Sequence, residues 1–443
     1  MKNFDIFTTD KYKKMQKSSA YFEQDTETES NLIKLYSDIS FQNIVGFGGA
    51  FTESAGYVYS LMSDENKTRF LKLYFSDNRY NIGRLHIQSC DFALDNYCYI
   101  KDKNDIELNS FSLDRDEKYI IPLVQDALKI NPDLRFIASP WSPPVFMKTN
   151  NDMNHGGRLK KEYYQMWADM IAKYVYLYKE KYGIYIDRLT IQNEPNATQA
   201  WDSCVFAAEE EADFACNYLR KSLNVSGLDY VKILCHDHNK DKVIDRAEGI
   251  FAFENAIDII DGIAFHWYSG DHFEALDYLS KTYPDKELFF TEGCIEYSCY
   301  KNKSSYENAQ RYALDLIGDF ANGTTAMTDW NLLLDEKGSP NHVGNFCEAP
   351  IMYNQTNAEL VINDSYYAIA HFSRFVKRDA KRILTSSFGS VQTVAFKNPD
   401  GSLVCVLMNK TDTVVDYVLR IGNLIAELKI NPESIQSLII YDV

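Results

Sequence analysis

The sequence predicts an α/β protein in which a (β/α)8 TIM barrel is joined to an antiparallel β-sandwich domain built by both chain termini. Eight short apolar runs alternate with amphipathic segments through the middle of the chain. Several of these runs are continuously apolar, which is typical of parallel strands that helices cover on the outside. After residue 377 the pattern changes to short β runs separated by turns, which indicates an antiparallel domain.

The predicted barrel strands and helices alternate along the chain. The eight strands are Ile44–Phe47, Ile82–Ile87, Leu134–Ala138, Arg188–Gln192, Val231–Cys235, Gly262–Trp267, Glu287–Thr291 and Thr324–Asp329. One helix begins after an N-cap at Ser63, and the others are Tyr119–Ile130, Lys161–Tyr182, Glu209–Leu223, His272–Thr282, Tyr306–Ala321 and Tyr366–Val376. The run Gly46-Phe47-Gly48-Gly49 predicts a tight turn after the first strand. Eight βα units in this length favour a barrel.

The two ends of the chain are predicted to share the second domain. C-terminal strands are expected at Val391–Phe396, Leu403–Met408, Val414–Ile421, Ala426–Ile430 and Ser437–Tyr441. The segment before Phe41 is too short to fold alone, so we expect it to add strands to the same domain. We therefore predict an N-terminal sandwich segment at residues 1–40, the barrel at 41–377, and the C-terminal part of the sandwich at 378–443.

The composition argues against several classes of partner. The 443 residues are 45% hydrophobic, and the net charge of −17 disfavours nucleic acid and anionic membrane surfaces. None of the nine cysteines is spaced as C-x-x-C, so we expect reduced thiols and no zinc or redox cluster. No stretch reaches transmembrane length, and residues 1–10 lack the apolar core of a signal peptide. We therefore expect a cytoplasmic protein with no integral membrane segment; the composition predicts no oligomeric state.

Two glutamates stand at the ends of two predicted strands. Glu194 follows the fourth strand and Glu292 follows the seventh, where packing gives no reason for a carboxylate. Because the carboxyl ends of barrel strands meet at one face, we expect both side chains in one pocket, about 5–5.5 Å apart. Such a pair is suited to breaking a glycosidic bond with retention, with Glu194 as general acid and Glu292 as nucleophile.

The neighbours of the two glutamates predict how each is tuned. The charge of Glu292 is expected to raise the pKa of Glu194, so that Glu194 begins protonated. Arg84 is expected to keep Glu292 ionised by charge pairing, and Asn193 to bind the sugar 2-hydroxyl. Polar and aromatic residues at other strand ends strengthen the prediction of a site. They include Asp91, Trp141, His266, Tyr268 and Trp330.

An ordered series of motifs covers nearly the whole chain. The main ones are Gly46-Phe47-Gly48-Gly49-Ala50-Phe51-Thr52, Asn81-Ile82-Gly83-Arg84, Ser139-Pro140-Trp141-Ser142-Pro143-Pro144, Gln192-Asn193-Glu194-Pro195, His266-Trp267-Tyr268, Thr291-Glu292-Gly293-Cys294, Thr328-Asp329-Trp330-Asn331 and Asn345-Phe346. In this order they resemble glycoside hydrolase family 30, the family of lysosomal glucosylceramidase. The resemblance implies a barrel with a β-sandwich from both termini, Glu194 as acid/base and Glu292 as nucleophile.

The resemblance also implies which residues bind the sugar. It implies a glucose-type subsite made by Asp91, Trp141, Asn193, Trp330 and Asn345, with Arg84, His266 and Tyr268 around the nucleophile. The segment 197–206 departs from the glucosylceramidase pattern. This segment borders the leaving-group side, and we include its Trp201 among the substrate-binding residues.

The sequence therefore predicts a retaining β-glycosidase that acts on small-molecule or oligosaccharide β-glucosides without a cofactor or metal. One alternative is a retaining enzyme for another β-sugar, such as a β-xylosidase, β-1,6-glucanase or β-fucosidase. A second is a carbohydrate-binding barrel without catalysis, against which the presence of both glutamates argues. A third, a metal-dependent lyase or isomerase, needs an Asp, Glu and His cluster at strand ends. We interpret His236-Asp237-His238 as hydrogen-bonding residues at the cleft rim, because no set of carboxylate ligands accompanies them.

Overall fold

Eight parallel strands close into a barrel in the computed structural model, which describes residues 3–25, 31–300 and 303–441. The strands are Gly46–Ala50, Ile82–Ile87, Arg135–Pro140, Ile186–Thr190, Lys232–Asn239, Gly262–His266, Glu287–Glu292 and Thr324–Asn331. Their order around the barrel follows the chain, and the eighth strand closes the barrel against the first, with Ala326 opposite Gly46. The predicted fold class is confirmed, and each predicted strand overlaps an observed one.

The glycine run near the start of the barrel is a strand and not the predicted turn. Gly46–Ala50 is the whole first barrel strand, and all five of its residues are buried. A Cβ atom at Gly48 would lie 1.7 Å from the carbonyl oxygen of Ile82 on the second strand. Close approach of two backbones therefore requires glycine at this position.

Helices surround the barrel, and a small apolar cluster fills its interior. The helices are Glu53–Ser60, Asp64–Leu71, Asp114–Ile130, Tyr164–Tyr182, Ala208–Phe214, Arg220–Val225, Val243–Phe251, Ala256–Ile259, Phe273–Thr282, Tyr297–Tyr300, Ser305–Ala321 and Asp364–Ser373. Ser63 caps the second helix as predicted, because its side chain accepts from the Asn66 amide. The interior cluster includes Ile137, Leu234 and Phe289. Within the described ranges, no helix is both long and apolar enough to cross a membrane.

The second domain contains a ten-stranded sheet made from both ends of the chain. Its strands are Asn3–Thr9, Gln16–Tyr21, Glu23–Gln24, Leu32–Asn43, Lys381–Ser386, Val391–Lys397, Leu403–Asn409, Val415–Ile421, Leu424–Ile430 and Ser434–Ile440. The first strand pairs with the last, with Phe4 opposite Ile440, so the N-terminal segment joins this domain as predicted. Residues 1–2, 26–30 and 442–443 of the predicted segments lie outside the described residues. The boundaries at residues 40 and 377 stay predictions; strand Leu32–Asn43 crosses the first.

A buried histidine links the barrel to both ends of the chain. His371 lies on helix Asp364–Ser373 and is completely buried. Its Nδ1 lies 2.7 Å from Ser437 Oγ, and its Nε2 lies 2.8 Å from Thr9 Oγ1. Burial, with a smaller effect from the Arg374 charge, lowers the pKa of His371 to about 3. A neutral imidazole therefore joins the helix to the first and last strands of the sheet.

Candidate active site

The carboxyl ends of the barrel strands surround a pocket of about 160 Å³. Both predicted catalytic glutamates line it, and so do most of the predicted sugar-binding residues. Glu194 adopts a positive φ of 47°, and its backbone N–H donates to the Asp237 carbonyl oxygen at 2.9 Å. A left-handed backbone conformation is uncommon for residues other than glycine and costs conformational free energy. Glu194 adopts it where the chain enters the pocket.

One ring nitrogen lies close to both glutamates. His266 Nδ1 is 3.4 Å from Glu194 Oε1 and 4.0 Å from Glu292 Oε1. Glu194 and Glu292 are 98 residues apart in the chain, and their carboxylates both lie close to His266 Nδ1. This is the arrangement that a two-carboxylate reaction at a single sugar carbon requires.

Both oxygens of Glu292 accept a hydrogen bond. Arg84 Nη1 donates to Oε2 at 2.5 Å, and the Tyr268 hydroxyl donates to Oε1 at 2.9 Å. The Arg84 guanidinium is completely buried and lies over the rings of Trp141 and Trp330, 4.8 and 5.4 Å from their centroids. The charge pairing predicted between Arg84 and Glu292 is therefore present, and the two tryptophans keep the guanidinium in place.

Asp237 is a central residue that sequence reasoning placed wrongly. It does not lie at the cleft rim but is fully buried beside the two cationic side chains of the site. Its carboxylate accepts from five side chains: Arg84 Nη2, Ser139 Oγ, Thr190 Oγ1, His266 Nε2 and Thr291 Oγ1, at 2.9, 2.9, 2.6, 3.1 and 2.5 Å. Burial favours the neutral acid, but Arg84 and His266 hold the pKa of Asp237 below its usual range. One buried anion therefore positions both cations that face the glutamates.

The signal that could have placed Asp237 was present in the sequence. It lies near the end of the fifth barrel strand, Lys232–Asn239, as Glu292 lies at the end of the seventh. Two of its hydroxyl partners, Thr190 and Thr291, also stand at strand ends. Hydroxyl side chains at strand ends beside an aspartate at a strand end are typical of a buried polar network. Such a network is stable only when every polar group in it has a hydrogen-bond partner.

The pKa shifts of His266 and Glu194 favour a proton on His266 rather than on Glu194. Burial alone would lower the pKa of His266, but Glu292, Asp237 and Glu194 raise it to about 9. Burial alone would raise the pKa of Glu194, but the hydrogen bond from His266 and the charges of His238 and His266 lower it to about 2. The expectation that Glu292 keeps Glu194 protonated in the free protein therefore differs from the structure, because an imidazolium lies beside Glu194.

The predicted sugar-binding residues form the floor and one side of the pocket. Trp141 and Trp330 stack with ring centroids 5.3 Å apart, and Asn345 Nδ2 donates to Asp91 Oδ2 at 3.2 Å. Asn193 Oδ1 accepts from Arg84 Nη2 at 2.8 Å. All of these residues line the pocket except Arg84, which lies behind its wall, as His266 does. Their roles in binding sugar stay predictions.

The partly exposed mouth of the pocket contains three residues that the sequence did not indicate, together with His238, which was expected at the cleft rim. Gln199, His238, Asn239 and Glu296 line it together with the predicted Trp201. Gln199 Nε2 donates to Glu194 Oε2 at 3.2 Å, and His238 Nε2 lies 3.8 Å from Glu194 Oε1. Spacing along the chain gave no signal for Gln199, Asn239 and Glu296, because they come from three separate parts of the chain, and Asn239 is the last residue of strand Lys232–Asn239.

Two thiols also line the pocket. Cys294 Sγ lies 3.4 Å from the Tyr268 hydroxyl, and the hydrogen bond to Cys347 together with burial raises the pKa of Cys294 well above its usual value. Burial raises the pKa of Cys347 as well. Both are therefore neutral thiols. Among the described residues, no group of three or more His, Cys, Asp or Glu side chains could hold a metal ion.

Family models match almost the whole chain. The glycosyl hydrolase family 30 TIM-barrel domain matches residues 44–376, and the β-sandwich domain of the same family matches residues 379–438. The putative glucosylceramidase 3 of Caenorhabditis elegans is 35% identical over 401 residues, which are 87% of this chain and 77% of that protein.

Solved structures agree with this match. SrfJ from Salmonella typhimurium is similar with a TM-score of 0.97 and 41% identity, over 100% of both chains. The endo-β1,6-glucanase BT3312 is similar with a TM-score of 0.90 and 28% identity, over 99% of this chain and 100% of that one. The similar proteins therefore differ in what their names say they act on.

Proposed function

Because the chain belongs to glycosyl hydrolase family 30 and is a glycoside hydrolase, we propose that it cleaves β-glucosides by a retaining, double-displacement mechanism. The observation that carries this proposal is the contact of His266 Nδ1 with both glutamates, which brings the two carboxylates together. The different surroundings of Glu194 and Glu292 support different roles for them.

The first step forms a glycosyl-enzyme. Glu292 attacks the anomeric carbon while the bond from that carbon to the leaving oxygen breaks, and Glu194 gives a proton to that oxygen. Arg84 and Tyr268 hold the attacking carboxylate in one orientation. The raised pKa of His266 supports a proton on His266 before the substrate binds, and this proton passes across the 3.4 Å contact to Glu194 and from there to the leaving oxygen.

The second step releases the sugar with its β configuration. In the ester Glu292 no longer has a charge, so Glu194 acts as base and takes a proton from water. The water oxygen bonds to the anomeric carbon, the ester bond breaks, Glu292 leaves as a carboxylate, and the proton taken up by Glu194 returns to His266. Two inversions at the same carbon give net retention.

The size of the pocket supports removal of one sugar from a chain end. Its volume of about 160 Å³ is below the roughly 300–1,000 Å³ of pockets that take drug-sized ligands. We infer that one sugar ring binds in this pocket, whose lining includes the stacked Trp141 and Trp330 and the hydrogen-bonded Asp91 and Asn345. Cleavage inside a β-1,6-glucan is the second candidate, because one similar structure has that activity in its name. Analysis of the first products released from a β-1,6-glucan distinguishes the two candidates. Glucose alone supports removal of one sugar from a chain end, and longer oligosaccharides support cleavage inside the glucan.

Covalent trapping tests the mechanism and the sugar together. The protein is incubated with activated 2-deoxy-2-fluoro β-glycosides of glucose, xylose and galactose, and its peptides are examined by mass spectrometry. We expect the glucose reagent to label Glu292. Labelling by the xylose reagent alone would change the sugar to xylose. A label on Glu194, or an α product as the first anomer seen by NMR, would overturn the proposed roles.

A further inference from the structure

Glu296 is a carboxylate at the mouth of the pocket that the catalytic steps do not use. It lies on the two-residue strand Ile295–Glu296, with Glu296 opposite Cys347 on the facing strand. It lines the pocket and is partly exposed. Within the part of the chain that the structure describes, the one side chain that donates to it is the Cys299 thiol, at 3.4 Å. The carboxylate is therefore held loosely and faces the space that a ligand enters.

The contacts of Glu194 identify which part of the mouth faces the leaving group. The general acid must lie beside the leaving oxygen, and Gln199 and His238 are the mouth residues next to Glu194. The deep part of the pocket is instead made by buried residues such as Asp91 and Trp141. The leaving group therefore departs across the partly exposed residues of the mouth. We call the residues of the mouth that are not assigned to sugar binding, together with Trp201, the leaving-group wall. They are Gln199, Trp201, His238, Asn239 and Glu296.

Building on the proposed function, we propose that Glu296 makes the leaving-group wall selective for a neutral, hydroxyl-rich leaving group, such as a second sugar, and against anionic or lipid ones. Four of the five wall residues present polar groups, and Trp201 offers an aromatic face on which a ring can lie. An acyl chain across this wall would desolvate the Glu296 carboxylate without giving it a hydrogen bond, which is unfavourable. A sugar hydroxyl would donate to it.

The charges around the pocket give the second part of the selectivity. Glu194, Glu292 and Glu296 all line the same small space. The nearby cations are already paired, Arg84 with Glu292 and Asp237, and His266 with Asp237 and Glu194. The field at the mouth is therefore negative, and a leaving group with a carboxylate is repelled.

Two variants of Glu296 test this selectivity at neutral pH. For Glu296→Gln, which keeps hydrogen bonding but loses the charge, kcat/KM for 4-carboxyphenyl β-glucoside should rise about five- to tenfold relative to phenyl β-glucoside. For Glu296→Leu, kcat/KM for the best of a set of β-linked glucose disaccharides should fall about tenfold, and that for octyl β-glucoside should not fall. Glu348→Gln is the matched control, because Glu348 lies on the facing strand and does not line the pocket. It should leave unchanged both the carboxyphenyl-to-phenyl ratio and the disaccharide-to-octyl ratio of kcat/KM.

The outcomes separate this inference from the function on which it rests. An unchanged carboxyphenyl-to-phenyl ratio in Glu296→Gln, or equal loss on disaccharide and octyl glucoside in Glu296→Leu, would overturn the role of Glu296 while β-glucosidase activity stands. If the unaltered protein releases glucose from none of these substrates, the proposed function fails and this inference fails with it.

Discussion

Asp237 and Arg84 form an ion pair of 2.9 Å in which both side chains are completely shielded from solvent. The same Asp237 carboxylate accepts from His266, so a single anion holds the cation beside Glu292 and the cation beside Glu194. Breaking a buried pair from one side leaves an uncompensated charge, which is far more costly than losing a surface contact.

Replacing Asp237 by asparagine should therefore impair turnover and stability together. Asp237→Asn keeps the shape but leaves Arg84 without one of its anions, and we expect about 3–5 kcal/mol lower free energy of unfolding. A shift of Arg84 and His266 by about 1 Å should lower kcat about 10²-fold. Steady-state kinetics and urea denaturation measure the two effects.

The control for this variant is another buried aspartate with several hydroxyl partners. Asp116 is completely buried and accepts from Tyr97, Tyr99 and Tyr178, outside the pocket. Asp116→Asn should change stability without changing kcat of the folded fraction. If Asp237→Asn also keeps full kcat, Asp237 has only a structural role.

Glu194→Gln should show which glutamate is the acid. Hydrolysis of glycosides with poor leaving groups should slow by roughly 10²–10⁴, because these need a proton on the leaving oxygen. The glycosylation step with an activated aryl glycoside should slow much less. Kinetics with a series of aryl β-glucosides of different leaving-group pKa measures the difference. Equal loss across the series would contradict the assignment of Glu194 as acid.

The pH profile should reveal His266 as the holder of the catalytic proton. Its pKa is raised to about 9 by the surrounding carboxylates, whereas that of Glu194 is lowered to about 2. The site therefore loses the proton that serves the leaving oxygen as pH rises through about 9, and kcat/KM, which reports the free enzyme, should fall there. A fall close to the ordinary pKa of a glutamate would contradict this and place the proton on Glu194 itself.

The sequence predicted well those strands and residues whose position can be read from the local pattern of apolar and polar residues. Short apolar runs, several of them continuous, located the eight barrel strands, and Glu194 and Glu292 were visible because a carboxylate follows such a run. Strand Lys381–Ser386 was missed because polar residues occupy much of it, and burial along it is uneven. The glycines of strand Gly46–Ala50 were interpreted as a turn. Gly48 is required instead because the backbone of Ile82 on the next strand lies so close that a Cβ atom would clash with it.

Other features depend on contacts between distant parts of the chain. The strand-end position of Asp237 could be read from the sequence, but its contacts with Arg84 and Ser139, which lie on other strands, depend on the fold. The protonation of Glu194 was predicted from Glu292 alone. The structure adds His266, whose imidazolium outweighs that charge because it is in direct contact.

The buried His371 should make the stability of the protein depend on pH. Its pKa is lowered to about 3 in the folded state, against about 6.5 in an unfolded chain. Its stabilising contribution is therefore complete above pH about 6.5 and is lost as pH falls from there toward 3, because only the unfolded chain takes up the proton. Between pH 6.5 and 5 this amounts to about 2 kcal/mol of unfolding free energy.

Urea denaturation at several pH values between neutrality and pH 5 tests this linkage. His371→Gln can still bond to Ser437 and Thr9 but cannot be protonated, so its stability should depend less steeply on pH. His155→Gln is the control for the chemical change itself, since the His155 side chain is 64% exposed. His236 is also buried, and its pKa is lowered to about 3, so part of the slope should remain in His371→Gln. If the slopes of His371→Gln and the unaltered protein coincide, His371 is protonated in the folded state, and the link between barrel and sheet does not depend on a neutral imidazole.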